Sequence, residues 1–179
     1  ALFQSLESDP GAPEVLRLWE SPELFVVLGR SSRGAEEVNV EYCAQHSVPV
    51  LRRCSGGGTI VAGPGCLMYA VVLRFARREQ LRQINEAHRF VMERIRSAVE
   101  ATGTACTISG ISDLAVGSRK ISGNAMRCGR HGLLYHGTLL CGMKGETIAA
   151  CLGQPARQPD YRQQRGHAEF VASLPANSA

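Results

Sequence analysis

Lysine is almost missing from this chain. Of its 20 basic residues only Lys120 and Lys144 are lysines, and the rest are arginine. GC-rich coding explains such a bias, but it makes each remaining lysine informative, because a guanidinium cannot replace a compact ammonium where space is tight. Aromatic residues are scarce too, at 6%, and the arginines are scattered. The basic run with interleaved aromatics that marks a nucleic-acid binder is therefore absent. No apolar run approaches the roughly 20 residues that cross a bilayer, so no membrane partner is expected. The seven cysteines form no Cys-x-x-Cys pair and none has a histidine at finger spacing, so no bound metal is expected. An odd set of thiols in a chain long enough to bury a full core fits a reduced, cytoplasmic protein, with most thiols acting as small buried hydrophobes. There is no initiator Met and no signal-like start, so some N-terminal residues are expected to be missing.

What the chain does have is a glycine triplet in the middle of apolar sequence. Arg52-Arg53-Cys54-Ser55-Gly56-Gly57-Gly58 lies between two strand-like runs, Val48 to Leu51 and Thr59 to Val61. Three glycines cost conformational entropy that a plain turn does not need, and they let backbone approach a ligand closely. Paired arginines beside them suggest an anion. A P-loop and a dinucleotide fingerprint both open a helix after their glycines, whereas Gly58 is followed by β-branched residues. Any phosphate here would be held between strands.

The 179 residues carry a formal charge of +4 and are 44% hydrophobic, which fits one domain over residues 1–179. Residues 1 to 20 read as a weakly amphipathic helix broken at Asp9-Pro10-Gly11-Ala12-Pro13, then a short run Val15 to Trp19. Leu24 to Leu28 and Leu67 to Phe75 read as buried strands, and Val38 to Gln45 as a short helix. From about Arg78 to Ala101, Leu81, Ile84, Ala87, Val91, Ile95 and Ala98 step by three and four, which is helical spacing. Arg82 with Glu86 and Arg89 with Glu93 read as i,i+4 pairs, and His88 as a surface residue. Gly117-Ser118 marks a tight turn between two strands. Leu133 to Leu140 reads as a strand, Thr147 to Leu152 as a helix, and His167 to Leu174 as a last short element. The Pro-, Arg- and Gln-rich tail from about Gln154 is expected on the surface.

Three stretches interrupt apolar strands with small and hydrogen-bonding residues: Arg53 to Gly58, Lys120 to Asn124, and His136 to Thr138. Core strands avoid such residues unless a ligand or a network satisfies them. If they converge, they offer backbone N–H groups, a guanidinium and an ammonium around one anionic centre. That suits a phosphate or an acyl phosphate better than a Ser-His-Asp triad.

The order Arg-Arg-x-Ser-Gly-Gly-Gly-x-Ile, Ser112-Asp113-Leu114, Arg119-Lys120-Ile121-Ser122-Gly123 and His136-Gly137-Thr138-Leu139-Leu140 resembles the lipoate–protein ligase A family, within the biotin/lipoate A/B protein ligase superfamily. Gly29-Arg30 and Glu37-Val38-Asn39 fit its earlier segment. The resemblance implies an α/β (α+β) fold like that of biotin protein ligases and class II synthetase cores, with a mixed, largely antiparallel sheet flanked by helices. It implies activation of lipoate or octanoate by ATP and Mg²⁺ to an acyl-AMP, then transfer to a lysine of a lipoyl domain. Lys120 matches the catalytic lysine. Arg53, Ser55, Gly56, Gly57 and Gly58 would hold the adenylate phosphate and line the acyl slot. Asp113, Ser122, Gly123, His136, Gly137 and Thr138 would order the nucleotide or the lysine.

The chain departs from the family at Cys54, at Ala62, and at Gly65-Cys66-Leu67-Met68, and the family's small C-terminal domain is not expected after about residue 175. These departures bear on activation more than on transfer. They raise a second reading, an octanoyltransferase that takes octanoate from acyl carrier protein through a thioester on Cys106, fourteen positions before Lys120. A third is a non-catalytic acyl- or nucleotide-binding remnant. A separate accessory subunit is a further candidate partner.

Overall fold

The computed structural model describes residues 2–155 and 158–175. Ala156 and Arg157 of the tail, Ala1 and the last four residues lie outside the described residues. In chain order the elements are α1 (Leu2–Ser8), β1 (Val15–Trp19), β2 (Phe25–Leu28), α2 (Gly34–Glu37), α3 (Val40–Gln45), β3 (Val50–Arg52), β4 (Ile60–Ala62) and β5 (Cys66–Arg74). They continue with α4 (Ile84–Glu100), β6 (Thr107–Ser109), β7 (Asp113–Val116), β8 (Arg119–Cys128), β9 (Gly132–Leu140), α5 (Gly145–Cys151) and α6 (His167–Phe170). The fold is mixed α+β, as the sequence suggests.

A six-stranded antiparallel sheet runs in the order β1-β5-β9-β8-β7-β6. A smaller sheet, β3-β2-β4, pairs β2 with β3 in parallel and with β4 antiparallel. Period-two alternation splits the core. Tyr69 and Leu73 of β5, with Leu133 and Tyr135 of β9, bury against Ala87, Val91 and Met92 of α4. Cys66, Met68 and Leu140 face the other way, into a second core with β2, β4, α3, α5 and α6. Each fully buried side chain of this size contributes about 1.5–3 kcal/mol, so both faces of the large sheet are anchored.

The long helix starts later than its apolar spacing predicts. Phe75–Arg77 and Glu79–Arg82 form 3₁₀ turns, and extended Gln83 separates them from α4. Leu81, fully buried, plugs the core from the second turn, so an apolar residue at helical spacing here serves a tighter turn. The expected i,i+4 pairs are replaced by i,i+3 pairs, Glu86 with Arg89 and Glu93 with Arg96. Arg82 lies ahead of the helix and stacks over Phe75. His88 is not a free surface residue either: its Nδ1 shares a 3.0 Å hydrogen bond with the Tyr135 hydroxyl.

One irregularity decides where a key side chain points. Between β7 and β8 the register slips: Leu114 pairs with Ser122 but Ala115 pairs with Lys120, leaving Ile121 as an extra residue. Ile121 is wholly buried with the α4-side core. Lys120 thereby comes out on the same face as Gly123 and Ala125, opposite α4. Bulges commonly re-aim a side chain in this way.

Candidate active site

The loop between β3 and β4 is folded by its own arginines. Arg52 Nη1 donates to the carbonyls of Gly29 and Ser32 at 2.8 and 2.9 Å. Arg53 Nη2 donates to the carbonyls of Gly56 and Gly58 at 2.7 and 2.8 Å, and its Nε to Ser55 Oγ at 3.2 Å. Arg53 reaches the cavity wall, but most of its donors hold the glycine loop in shape. Gly29 completes the arrangement, since a β-carbon there would lie 1.9 Å from the Gly57 carbonyl oxygen. After the loop, both the amide and the hydroxyl of Thr59 donate to Glu37. Burial raises the Glu37 pKa, but these hydrogen bonds and one from Ser32 outweigh it and hold the carboxyl below its usual range.

The loop, the β8/β9 strands and the tail enclose a cavity of about 980 Å³. Trp19, Phe25, Val27, Ile60 and Met68 give it an apolar lining. Lys120, Asp113, Arg53, His136 and Thr138 supply polar groups, with Gly57, Gly58, Gly123 and Gly137 as bare backbone. This volume is large enough for a ligand of nucleotide size with an apolar chain attached.

Lys120 Nζ lies 2.8 Å from Asp113 Oδ1. The ammonium fits because position 123 is glycine: a β-carbon there would come within 2.8 Å of Nζ. The other Asp113 oxygen accepts a 2.8 Å hydrogen bond from the Tyr161 hydroxyl. Across the cavity, Ser55 Oγ and His136 Nε2 are 2.6 Å apart. Burial pulls the His136 pKa down to about 4, and the nearby Arg53 guanidinium adds to the effect. The imidazole is therefore neutral near pH 7. Since Ser55 already accepts from Arg53, its hydroxyl proton is assigned to His136 Nε2 and the ring proton to Nδ1.

Nine of the residues singled out in sequence thus meet on one cavity: Arg53, Gly57, Gly58, Asp113, Lys120, Gly123, His136, Gly137 and Thr138. Ser55 is buried behind His136, and Gly56 contributes its carbonyl to Arg53. Ser122 lines a smaller adjoining recess of about 100 Å³. Cys106 is not in the cavity wall. It is 5% exposed within the α4-side core, where burial and then Glu100 push its thiol pKa up. The tail does more than cover the surface: Gln154, Asp160, Gln163 and Gln164 are exposed, while Pro155, Gln158, Pro159, Asp160, Tyr161 and buried Arg162 also form one wall of the cavity.

Asn124, the last residue of the Lys120-to-Asn124 stretch, is a further wall residue. Its Nδ2 donates to the Ser112 carbonyl at 2.8 Å and to Ser122 Oγ at 3.1 Å, and its Oδ1 accepts from Tyr69. Among the described residues no three His, Cys, Asp or Glu side chains are grouped to hold a metal. Mg²⁺ commonly binds through substrate phosphates and one or two protein carboxylates, so it does not need such a grouping.

The model of the lipoyl protein ligase A/B catalytic domain matches residues 1–177. The chain belongs to that family. Lipoate–protein ligase 1 of Staphylococcus aureus is 32% identical over 115 residues, 64% of this chain and 34% of the relative. The mitochondrial lipoyl amidotransferase LIPT1 of Homo sapiens is 30% identical over 185 residues, covering 98% of this chain and 46% of its own length. The chain therefore spans about a third to a half of these relatives. Among solved structures, the bipartite lipoate protein ligase of an archaeal lipoylation system from Thermoplasma acidophilum, described with its E2 lipoyl domain, superposes with a TM-score of 0.68 at 22% identity. It covers 92% of this chain and 63% of that one, a likeness of fold.

Proposed function

We propose that the chain transfers a lipoyl or octanoyl group from an acyl-adenylate to a lysine amine on a lipoyl domain. The observation that carries this is Lys120: one ammonium, paired with one carboxylate at 2.8 Å, in the wall of a cavity that also has an apolar lining and a glycine loop. An acyl-AMP needs those three environments, for its mixed anhydride, its acyl chain and its phosphate. As the target amine attacks the acyl carbon, negative charge grows on the carbonyl oxygen and then on the departing phosphate. A fixed ammonium beside both stabilises that charge in the transition state. Neutral His136 adds no competing positive charge, and the apolar walls keep water from the anhydride.

The names of the S. aureus and human relatives support acyl transfer involving lipoate, and the archaeal structure supports a lipoyl domain as acceptor. The adenylate reading is favoured over the Cys106 thioester because that thiol lies in the core, off the cavity. ATP-dependent activation, with Mg²⁺ arriving on the nucleotide, is the finer part of the proposal. An accessory subunit and a cytoplasmic setting belong with it; among the described residues no helix is long and apolar enough to cross a membrane.

The test is the mass of an apo lipoyl domain after incubation with the protein and one of three donors: preformed lipoyl-AMP, lipoate with ATP and Mg²⁺, or octanoyl carrier protein. Modification with lipoyl-AMP is expected. Modification from the carrier protein alone, abolished by Cys106→Ser, would establish the thioester route instead. No modification from any donor would leave a binding remnant.

A further inference from the structure

We propose that Tyr161 is a positioning residue for Lys120, acting through Asp113. The inference rests on Lys120 being the group that stabilises the transferring acyl phosphate.

The geometry is a three-residue chain. Tyr161 donates its hydroxyl proton to Asp113 Oδ2 at 2.8 Å, and Asp113 presents Oδ1 to Lys120 Nζ at 2.8 Å. A carboxylate alone can turn both oxygens onto an ammonium and hold it as a closed ion pair. With Oδ2 committed to the phenol, only one oxygen faces Lys120, which leaves the other N–H donors of the ammonium for the cavity that Lys120 lines. Burial, and then Asp113 itself, push the Tyr161 pKa up, so the phenol remains a donor.

The element carrying Tyr161 is built to hold this place. Its ring packs tilted against Phe170, 5.1 Å between centroids. Arg165 Nη2 donates to the Tyr161 carbonyl at 2.8 Å and to the Ser118 carbonyl in the β7/β8 turn at 2.9 Å. Farther along, the Ala172 amide donates to the Lys120 carbonyl at 2.8 Å, and Arg119 Nε to the Val171 carbonyl at 3.0 Å. The tail therefore fixes the main chain of the lysine hairpin on both sides, and Tyr161 reaches in between to the side chain. A segment serving only as a cover would not need a half-buried hydroxyl directed at the partner of the Lys120 ammonium.

Two measurements on the same proteins test this. The first is the rate at which an amine-acylating reagent labels Lys120, read by peptide mass against Lys144 as internal standard; it needs no acyl substrate. Tyr161→Phe keeps the ring and removes the hydroxyl, and is expected to slow Lys120 labelling about threefold to tenfold, the size expected when a charge-assisted hydrogen bond is redistributed. Asp113→Asn should speed labelling, and Tyr161→Phe should then change nothing further. Asp113→Ser replaces Asp113→Asn in the cycle should the latter not fold. The second is the transfer assay, in which Tyr161→Phe should lower kcat about tenfold and leave KM for the lipoyl domain within about twofold. Unchanged labelling in Tyr161→Phe, or an effect that persists undiminished without the Asp113 carboxylate, would overturn the proposal. If the wild-type protein transfers nothing, the functional reading falls, while the labelling cycle still decides the role of Tyr161.

Discussion

Ser55 and His136 stand 81 positions apart in sequence and 2.6 Å apart in space. That bond fastens the glycine loop to the central strand of the large sheet, and Arg53 closes it from the loop side. Ser55→Ala leaves a buried acceptor on His136 without its donor. A loss of about 1–3 kcal/mol in unfolding free energy is expected, with faster proteolysis between Arg52 and Thr59. Urea unfolding and limited digestion check it. Equal stability and equal digestion would show that the loop holds its shape without the bond.

The depressed pKa of His136, about 4, sets a pH dependence. The unfolded imidazole titrates near 6.5 and takes up a proton that the folded one refuses. The unfolded state thus binds more protons between those values, and stability falls as pH drops through that window. The contribution is complete above about pH 6.5 and lost below about 4. His136→Asn should flatten the difference between pH 6.5 and 4.5 relative to wild type, measured by urea midpoints at each pH. Parallel profiles would remove His136 as the cause.

Lys120→Arg keeps the charge but not the shape. The planar fork is bulkier than an ammonium, and Gly123 leaves space for a compact group only. Transfer from lipoyl-AMP should fall on the order of a hundredfold to a thousandfold, while Lys144→Arg, at an exposed position, should be close to wild type. Initial rates of lipoyl-domain modification check both. A near-normal rate for Lys120→Arg would take the lysine out of the mechanism.

Gly56 in the loop and Gly29, which packs against it, are not equivalent. Gly56→Ala meets nothing within 4 Å, whereas Gly29→Ala places a methyl 1.9 Å from the Gly57 carbonyl oxygen. Gly56→Ala should leave the melting temperature within a degree or two. Gly29→Ala should lower it by several degrees, since backbone must shift. Thermal unfolding of the two variants side by side is enough, and the reverse order would contradict the packing described.

The glycine loop, the lysine strand and the His136 strand were legible because small and polar residues interrupt apolar runs, a local signal. What was not legible depends on partners distant in sequence. Arg53 reads as a phosphate ligand beside three glycines, but the carbonyls it holds become acceptors only once the loop closes. Tyr161 and Arg162 sit in a Pro- and Gln-rich stretch with no periodicity, so nothing local announces that the tail returns to the cavity. His88 occupies an outward-looking helical position until Tyr135 comes within reach. Leu81 fits a helical period and a 3₁₀ turn equally well.

The extra residue at Ile121 sets how this hairpin tolerates a change of length. Lys120 and Gly123 are an odd number of positions apart and yet share a face, which a regular strand forbids. Shortening β8 by Ile121 keeps the lysine over the cavity and costs the α4-side core one apolar plug. Lengthening β7 by one residue between Leu114 and Ala115 does the opposite. Ile121 then gains a partner across the ladder, and unbroken alternation turns the ammonium into the apolar layer under α4. Such an insertion alters no residue that touches the cavity and makes the pairing more regular, yet it is as damaging to this site as losing the lysine itself.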